Sequence, residues 1–245
     1  MVTRREIRVL DTPDALFRAA AEEFGRRASA AVQQHGRFCV ALSGGSTPRS
    51  LYRLLASGAI PSLPWQKTLI FWGDERHVPP DHADSNYRMV QEALLSRVAL
   101  PSENVFRIKA ENPDAAGAAL DYEKILTECF RLKPGQFPSF DLILLGTGTE
   151  GHTASLFPDS AALAERQRLV VSNWVEKLHT DRITFTLPVL NHAACVMFLV
   201  SGRDKAAIVH ELLNPNQNAG QLPAQMVQPI DGELLWFLDK DAAGT

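Results

Sequence analysis

Residues 37–56 read RFCVALSGGSTPRSLYRLLA. An apolar run ends abruptly at Ser43-Gly44-Gly45-Ser46, and a helix-forming stretch follows. A run that is apolar at consecutive positions, without alternation, fits a strand covered on both faces. Thr47 is placed to cap the following helix, with Pro48 in its first turn. Strand, glycine turn and helix in this order are half of a parallel crossover unit.

Three more segments repeat the apolar run: TLIFWGD (68–74), FDLILLG (140–146) and CVMFLVS (195–201). Helical patterns lie between them. Leu16, Ala20, Phe24, Ala28 and Val32 recur every four residues, and DSNYRMVQEALL and DAAGAALDYEKILTECF continue the alternation. Strands alternating with helices predict an α/β fold: a mostly parallel central sheet with helices on both faces. RITFTLPVL (182–190) reads as a more exposed strand, because Thr184 and Thr186 alternate with apolar neighbours, and ELLWFLD near the end adds a last strand. No repeat, low-complexity tract or linker interrupts the chain, so residues 1–245 are expected to form one domain with a small additional strand region.

The 245 residues are 45% hydrophobic, enough for a sizeable core. A net charge of -3 and an isoelectric point near 6.2 give no basic stripe for nucleic acid. The start, MVTRREIRVL, is too charged for a signal peptide, and no apolar run is long enough to span a bilayer. Cys39, Cys129 and Cys195 are far apart in apolar surroundings, as reduced core thiols of a cytoplasmic protein would be. With no HxH, HExxH or CxxC pattern, no metal site and no cofactor are expected.

The four apolar strands end in SGGSTP, GDERHVPP, GTGTEGH and SGRDK. Ligands of open parallel sheets bind beyond the carboxyl ends of the strands, so these endings should converge on one crevice. Gly44 and Gly45 let backbone approach a ligand, Ser46 and Thr47 add hydroxyls, and a helix start favours an anion. The sequence is neither a P-loop nor a GxGxxG fingerprint, and a tight turn with an ordinary cap would look the same. ALSGG is also a loose nucleophile elbow, with Ser43 as nucleophile and His192 or His210 as its later histidine. Asp74, Glu75 and Arg76 gather at one strand end. Arg76 suits a phosphate and Asp74 suits the orientation of a hydroxyl or base, although an internal Asp–Arg pair would also account for them. His77 and His82 read as solvated loop residues. His152, amid glycines and near Glu150, can take a proton from water while Glu150 orients it. Arg182, Arg203 and Lys205 are either surface charge or cations for a dianionic phosphate.

LSGGSTP, WGDERHVP followed by SNY, LLGTGTEGHTASLFP, and RITFTLPVLN followed by SGRDKA together resemble the 6-phosphogluconolactonase branch of the glucosamine-6-phosphate deaminase/isomerase superfamily. The motifs occur in family order and cover most of the chain. The resemblance implies a Rossmann-like sheet and hydrolysis of 6-phospho-D-glucono-1,5-lactone to 6-phospho-D-gluconate in the oxidative pentose phosphate pathway. It implies His152 as the base that activates water, Gly44, Gly45, Ser46 and Thr47 as the phosphate loop, and Arg76, Arg182 and Lys205 as its basic partners. Asp74 matches an acid that transfers protons in the deaminase branch. The family turn reads GxGxDGH, whereas this chain carries Glu150, one methylene longer, which alters the reach of the carboxylate toward His152. The implied partner is a small sugar phosphate, with no nucleic acid or membrane, and the chain would act as a monomer or small homo-oligomer. A deaminase/isomerase, or a sensor that binds sugar phosphate without turnover, are the alternatives.

Overall fold

A computed structural model describes residues 4–214 and 222–245. In chain order the elements are β1 (Arg4–Leu10), α1 (Pro13–His35), β2 (Phe38–Leu42), α2 (Ser46–Ala56), β3 (Thr68–Trp72), β4 (Asp74–Arg76), α3 (Asn86–Ala93), β5 (Val105–Phe106) and α4 (Ala115–Phe130). They continue with β6 (Leu142–Leu145), β7 (Val170–Val175), β8 (Thr180–Phe185), α5 (Leu187–Asn191), β9 (Cys195–Val200), α6 (Ala206–Leu213), β10 (Glu233–Asp239) and α7 (Lys240–Ala243).

Seven strands form one parallel sheet in the order β1-β10-β9-β6-β2-β3-β5. Every residue of β2, β6 and β9 is buried, so both faces of the sheet centre are covered, as their unbroken apolar runs predict. The chain runs outward from β2 through β3 to β5, then returns to the other side of β2 and builds β6, β9 and β10 in the opposite direction. The order therefore reverses between β2 and β6. A crevice opens at such a point beyond the strand ends, here beside the Gly44–Gly45 turn and the glycine turn after β6.

Local chemistry sets the helices. Thr12 Oγ1 accepts the Ala15 N–H at 3.2 Å, and Gly36 closes α1 in the left-handed conformation at φ 85°. Leu16, Ala20, Phe24 and Ala28 are buried on the α1 face that the spacing predicts, and Phe24 meets Phe38 edge-to-face at 5.2 Å. Asp114 and Ser85 cap α4 and α3 by accepting the Ala116 and Arg88 N–H groups.

The small additional strand region is a three-stranded antiparallel sheet, β4-β8-β7, against which α4 packs. Gly73 passes the chain into it: its N–H donates to Leu42 O at 2.9 Å, and its carbonyl accepts the Phe185 N–H at 2.8 Å.

Three expectations need correction. RITFTLPVL is not one strand: β8 stops at Phe185 and α5 begins at Leu187, because Pro188 suits the first turn of a helix. Thr47 is not the cap of α2. The helix starts at Ser46, and Gly45 is the cap residue with no side-chain bond. Asp74–Arg76 is not merely the polar ending of β3 but a strand of the second sheet. The three cysteines are free; burial pushes the Cys39 and Cys195 thiols up to about 12. No helix among the described residues is long and apolar enough to cross a membrane.

Candidate active site

The end of β2 is locked to α2. The Ser43 N–H donates to Tyr52 Oη at 3.0 Å, and the Tyr52 hydroxyl donates to Ser43 O at 2.8 Å. A Cβ on Gly44 would strike the Asn86 amide, and Gly45 holds φ 105°. The first helical backbone bond is Arg49 N to Gly45 O, so the Ser46 and Thr47 amides remain open for an anion.

Asp74, at the start of β4, is 7% exposed. Its Oδ2 accepts the Ser155 hydroxyl at 2.7 Å and its Oδ1 accepts Asn86 Nδ2 at 3.4 Å. Ser155 is fixed by the second sheet, because its N–H donates to Thr184 Oγ1 and its carbonyl accepts Asn173 Nδ2. Glu75 is occupied otherwise. It accepts the backbone N–H groups of Arg76, Asn86 and Tyr87 and the Ser85 hydroxyl, and so holds the start of α3.

The antiparallel register sets Arg76 directly opposite Arg182. Arg76 Nη1 donates to Asp84 O at 2.7 Å, but among the described residues the buried Nε atoms of both arginines have no partner. Burial, then the neighbouring Arg76, lowers the Arg182 pKa. Like charges opposite each other destabilise a strand pair, so this arrangement asks for an anion.

After β6 the chain folds into a closed turn: Gly148 N–H donates to His152 O, Gly151 N–H to Gly148 O, and Thr153 Oγ1 to Gly146 O. A Cβ at Gly148 would collide with the His152 ring. Ala154 holds a left-handed φ of 48°, a strained conformation for a non-glycine residue beside the cleft. His152 stacks on Phe157 with centroids 4.3 Å apart. Burial pushes its pKa down to about 4; Asp74 opposes the shift, while Arg182, Lys205 and Arg76 reinforce it. The ring is thus neutral near pH 7. Glu150 Oε1 lies 3.3 Å from His152 Nδ1, yet Nδ1 has no hydrogen-bond partner among the described residues, and Glu150 pairs with Lys177.

At the end of β9, Asp239 fixes the turn by accepting the Ser201 hydroxyl and the Gly202 N–H. Lys205 reaches the cleft from this turn, while Arg203 is exposed and faces Asp241.

The four strand endings enclose one cleft of about 270 Å³, at the lower end of small-ligand sites. Gly44, Gly45, Ser46, Thr47, Asp74, Arg76, His152 and Lys205 line it. Arg182, opposite Arg76 across the strand pair, and Glu150, beside His152, are not among the lining residues. The triad that Ser43 would need does not assemble. Among the described residues its buried Oγ has no partner, His192 bonds Pro188 O in another groove, and His210 is exposed on α6. His82 is exposed, whereas His77 is tied to Asn112 O. Asn86, Ser155 and Asp239 carry no signal of their own in the sequence, although the first two lie within the SNY and GTGTEGHTASLFP motifs. Among the described residues no group of three His, Cys, Asp or Glu side chains is placed to hold a metal ion.

Residues 11–236 match the profile of the family described as glucosamine-6-phosphate isomerases/6-phosphogluconolactonase. The chain belongs to this family. A 6-phosphogluconolactonase of Nostoc sp. is 41% identical over 98% of this chain and 97% of its own length, and one of Synechocystis sp. is 44% identical over 88% of each. The structure of 6-phosphogluconolactonase from Trypanosoma cruzi superposes with a TM-score of 0.88 at 30% identity, covering 100% of this chain and 98% of that one. A monomeric glucosamine-6-phosphate deaminase, at 18% identity and a TM-score of 0.79, shares the fold.

Proposed function

We propose that this chain hydrolyses 6-phospho-D-glucono-1,5-lactone to 6-phospho-D-gluconate, with His152 as general base. The observation that carries the proposal is a half-buried, neutral His152 facing a cleft walled by an open helix start, Arg76 and Lys205. The high identity of the chain to the two cyanobacterial lactonases supports the same reaction. His152 takes a proton from water as the water oxygen bonds to C1. The tetrahedral oxyanion is stabilised by donors at the strand ends, with backbone amides of the glycine turns as candidates. As the intermediate collapses, the bond from C1 to the ring oxygen breaks, and that oxygen takes a proton from the imidazolium. A lactone is an activated ester, so the step needs neither a covalent nucleophile nor a metal.

The phosphate serves as a remote handle. The Ser46 and Thr47 amides with Lys205, Arg76 and Arg182 hold it, and the binding energy places C1 against the water. Asp74, fixed by Ser155 and Asn86, faces His152 and favours the imidazolium that forms. Action as a single folded unit, in the cytoplasm, as a monomer or small homo-oligomer and without nucleic acid or a membrane, belongs to the same proposal. One hydrophobic cluster running from Leu16 to Ala242 supports the single unit.

The test is lactone turnover above the spontaneous rate, beside a coupled assay on glucosamine 6-phosphate. Turnover of the amino sugar alone would move the assignment to the deaminase branch. Binding of 6-phosphogluconate without turnover of either substrate would make the chain a sensor.

A further inference from the structure

The tip of the β7–β8 hairpin reaches the turn that carries His152. Residues Glu176–Leu178 form one tight 3-10 turn, closed by His179 in the left-handed conformation at φ 46°, with its N–H on Glu176 O at 3.1 Å. This turn carries Lys177 toward the β6 loop. The Lys177 ammonium pairs with Glu150 Oε1 and stands 5.3 Å above the Phe157 ring. The Phe157 ring in turn stacks on His152. The same Glu150 oxygen lies 3.3 Å from His152 Nδ1 without completing a hydrogen bond. One carboxylate oxygen therefore has two suitors, and the lysine is the nearer of them.

We propose that Lys177 is a positioning residue of the active site, which claims Glu150, keeps that carboxylate from bonding His152 Nδ1 and clamps Phe157 against the imidazole. The inference rests on the reading of His152 as the base. A carboxylate bonded to Nδ1 would stabilise the imidazolium and keep the ring protonated to a higher pH. Paired with Lys177, Glu150 exerts little net pull. The other charges facing the ring are Asp74 and Arg76 from β4, Arg182 from β8 and Lys205 from the turn after β9. Asp74 favours the protonated ring and the three cations oppose it, so Lys177 sides with the cations. The longer arm of Glu150 carries its carboxylate out to the hairpin. Neighbouring Phe157 contributes the second contact, because an ammonium over an aromatic face is attracted to it.

The test compares Lys177→Met, Lys177→Arg, Glu150→Gln and the Glu150→Gln/Lys177→Met double variant. Lys177 is 55% exposed on a surface turn, so its substitutions leave the core untouched. The readouts are the acid limb of kcat/KM and an NMR titration of the His152 ring, assigned by its absence in His152→Ala. Lys177→Met should move both upward by about one pH unit, the lower end of the effect of an opposite charge within 4–6 Å. At the alkaline plateau it should cost no more than about fivefold, the scale of an exposed ion pair. Lys177→Arg should retain the wild-type limb, and the double variant should titrate like Glu150→Gln alone. No upward shift in Lys177→Met, or an equal shift in the Glu150→Gln background, would overturn the proposal. In the latter case the lysine would act on the ring directly. Near-normal activity in His152→Ala would sink the base assignment instead, while the NMR titration would still decide what Lys177 does to the ring.

Discussion

Replacing Arg182 by Met should stabilise the empty protein while weakening its hold on the ligand. Arg182 sits opposite Arg76 across the β4–β8 pair, its Nε is buried without a partner, and burial and Arg76 both disfavour its charge. Among the described residues its side chain makes no hydrogen bond. Like charges directly opposite in a strand pair cost about 0.2–1 kcal/mol. Methionine keeps most of the apolar stem and removes that cost. For a chain of this size about 1 kcal/mol corresponds to roughly 2–4 °C in Tm, so Arg182→Met should melt up to about 4 °C higher in phosphate-free buffer.

Ligand reverses the order. At about 100 times its Kd, a ligand stabilises the wild type by about 2.7 kcal/mol. Loss of one charge-assisted bond, worth about 1.5–3 kcal/mol, weakens binding roughly 10- to 150-fold. At the same concentration the variant would then gain only about 0.3–1.4 kcal/mol. The assay is thermal unfolding of both proteins with and without 6-phosphogluconate at low ionic strength. If Arg182→Met melts several degrees lower without ligand, or shifts as much as wild type with it, Arg182 is a structural cation and the argument fails.

His152→Ala should lower turnover roughly 10²- to 10⁴-fold, the range for loss of a general base, and near-normal activity in the folded variant would remove His152 from that role. With His152 as the proposed base, the neutral imidazole is the active form; burial pushes its pKa down to about 4, so wild-type kcat/KM should stay level down to about pH 5 and fall through about pH 4, and a limb near 6.5 would contradict the burial argument. The folded state binds fewer protons at this ring than the unfolded chain between about pH 6.5 and 4, so the ring also makes stability decline as pH falls through that window. Lys205→Ala should lose the preference for 6-phospholactone over unphosphorylated gluconolactone while keeping weak activity on the latter; parallel loss of both would place Lys205 at C1 or in the fold. Ser43→Ala should cost no more than about tenfold, the scale of a neutral hydrogen bond, whereas loss of all turnover together with covalent labelling of wild-type Ser43 by a fluorophosphonate would restore the nucleophile reading.

The sheet centre was legible because its physics is local. β2, β6 and β9 are buried on both faces and therefore carry unbroken apolar runs, and the glycine turns follow directly from them. β1 was not legible as a strand. It lies at the sheet edge, its residues are mostly exposed, and RREIRVL carries the charges of such a position. The end of β8 was misread because Thr184 and Thr186 alternate convincingly while Pro188 marks a helix start as well as a strand end. Within the site, His152, Arg76 and the helix start follow from motif and strand end. The Asp74–Ser155 bond joins residues 81 positions apart, and only the docking of the second sheet creates it. Lys177 has no local signal, because VEKLHT reads as an ordinary charged turn until the hairpin is placed over Glu150.

The arrangement of charge explains why the second sheet belongs to the site. Without it, Asp74 would lose Ser155 and Arg182 would have no place beside Arg76. With it, one anion-seeking wall and one buried carboxylate act on the same histidine from opposite directions. Arg182, Lys205 and Arg76 weaken His152 as a base, while Asp74 strengthens it. On the proposed reading, a phosphate held by these cations would neutralise them and leave Asp74 unchanged, and so move the balance at the ring toward higher basicity. An unphosphorylated lactone would then leave the cations uncompensated and the base weak. On the proposed reading, the remote phosphate would contribute to the chemical step through the field at His152 as well as through position, converting binding energy far from C1 into rate.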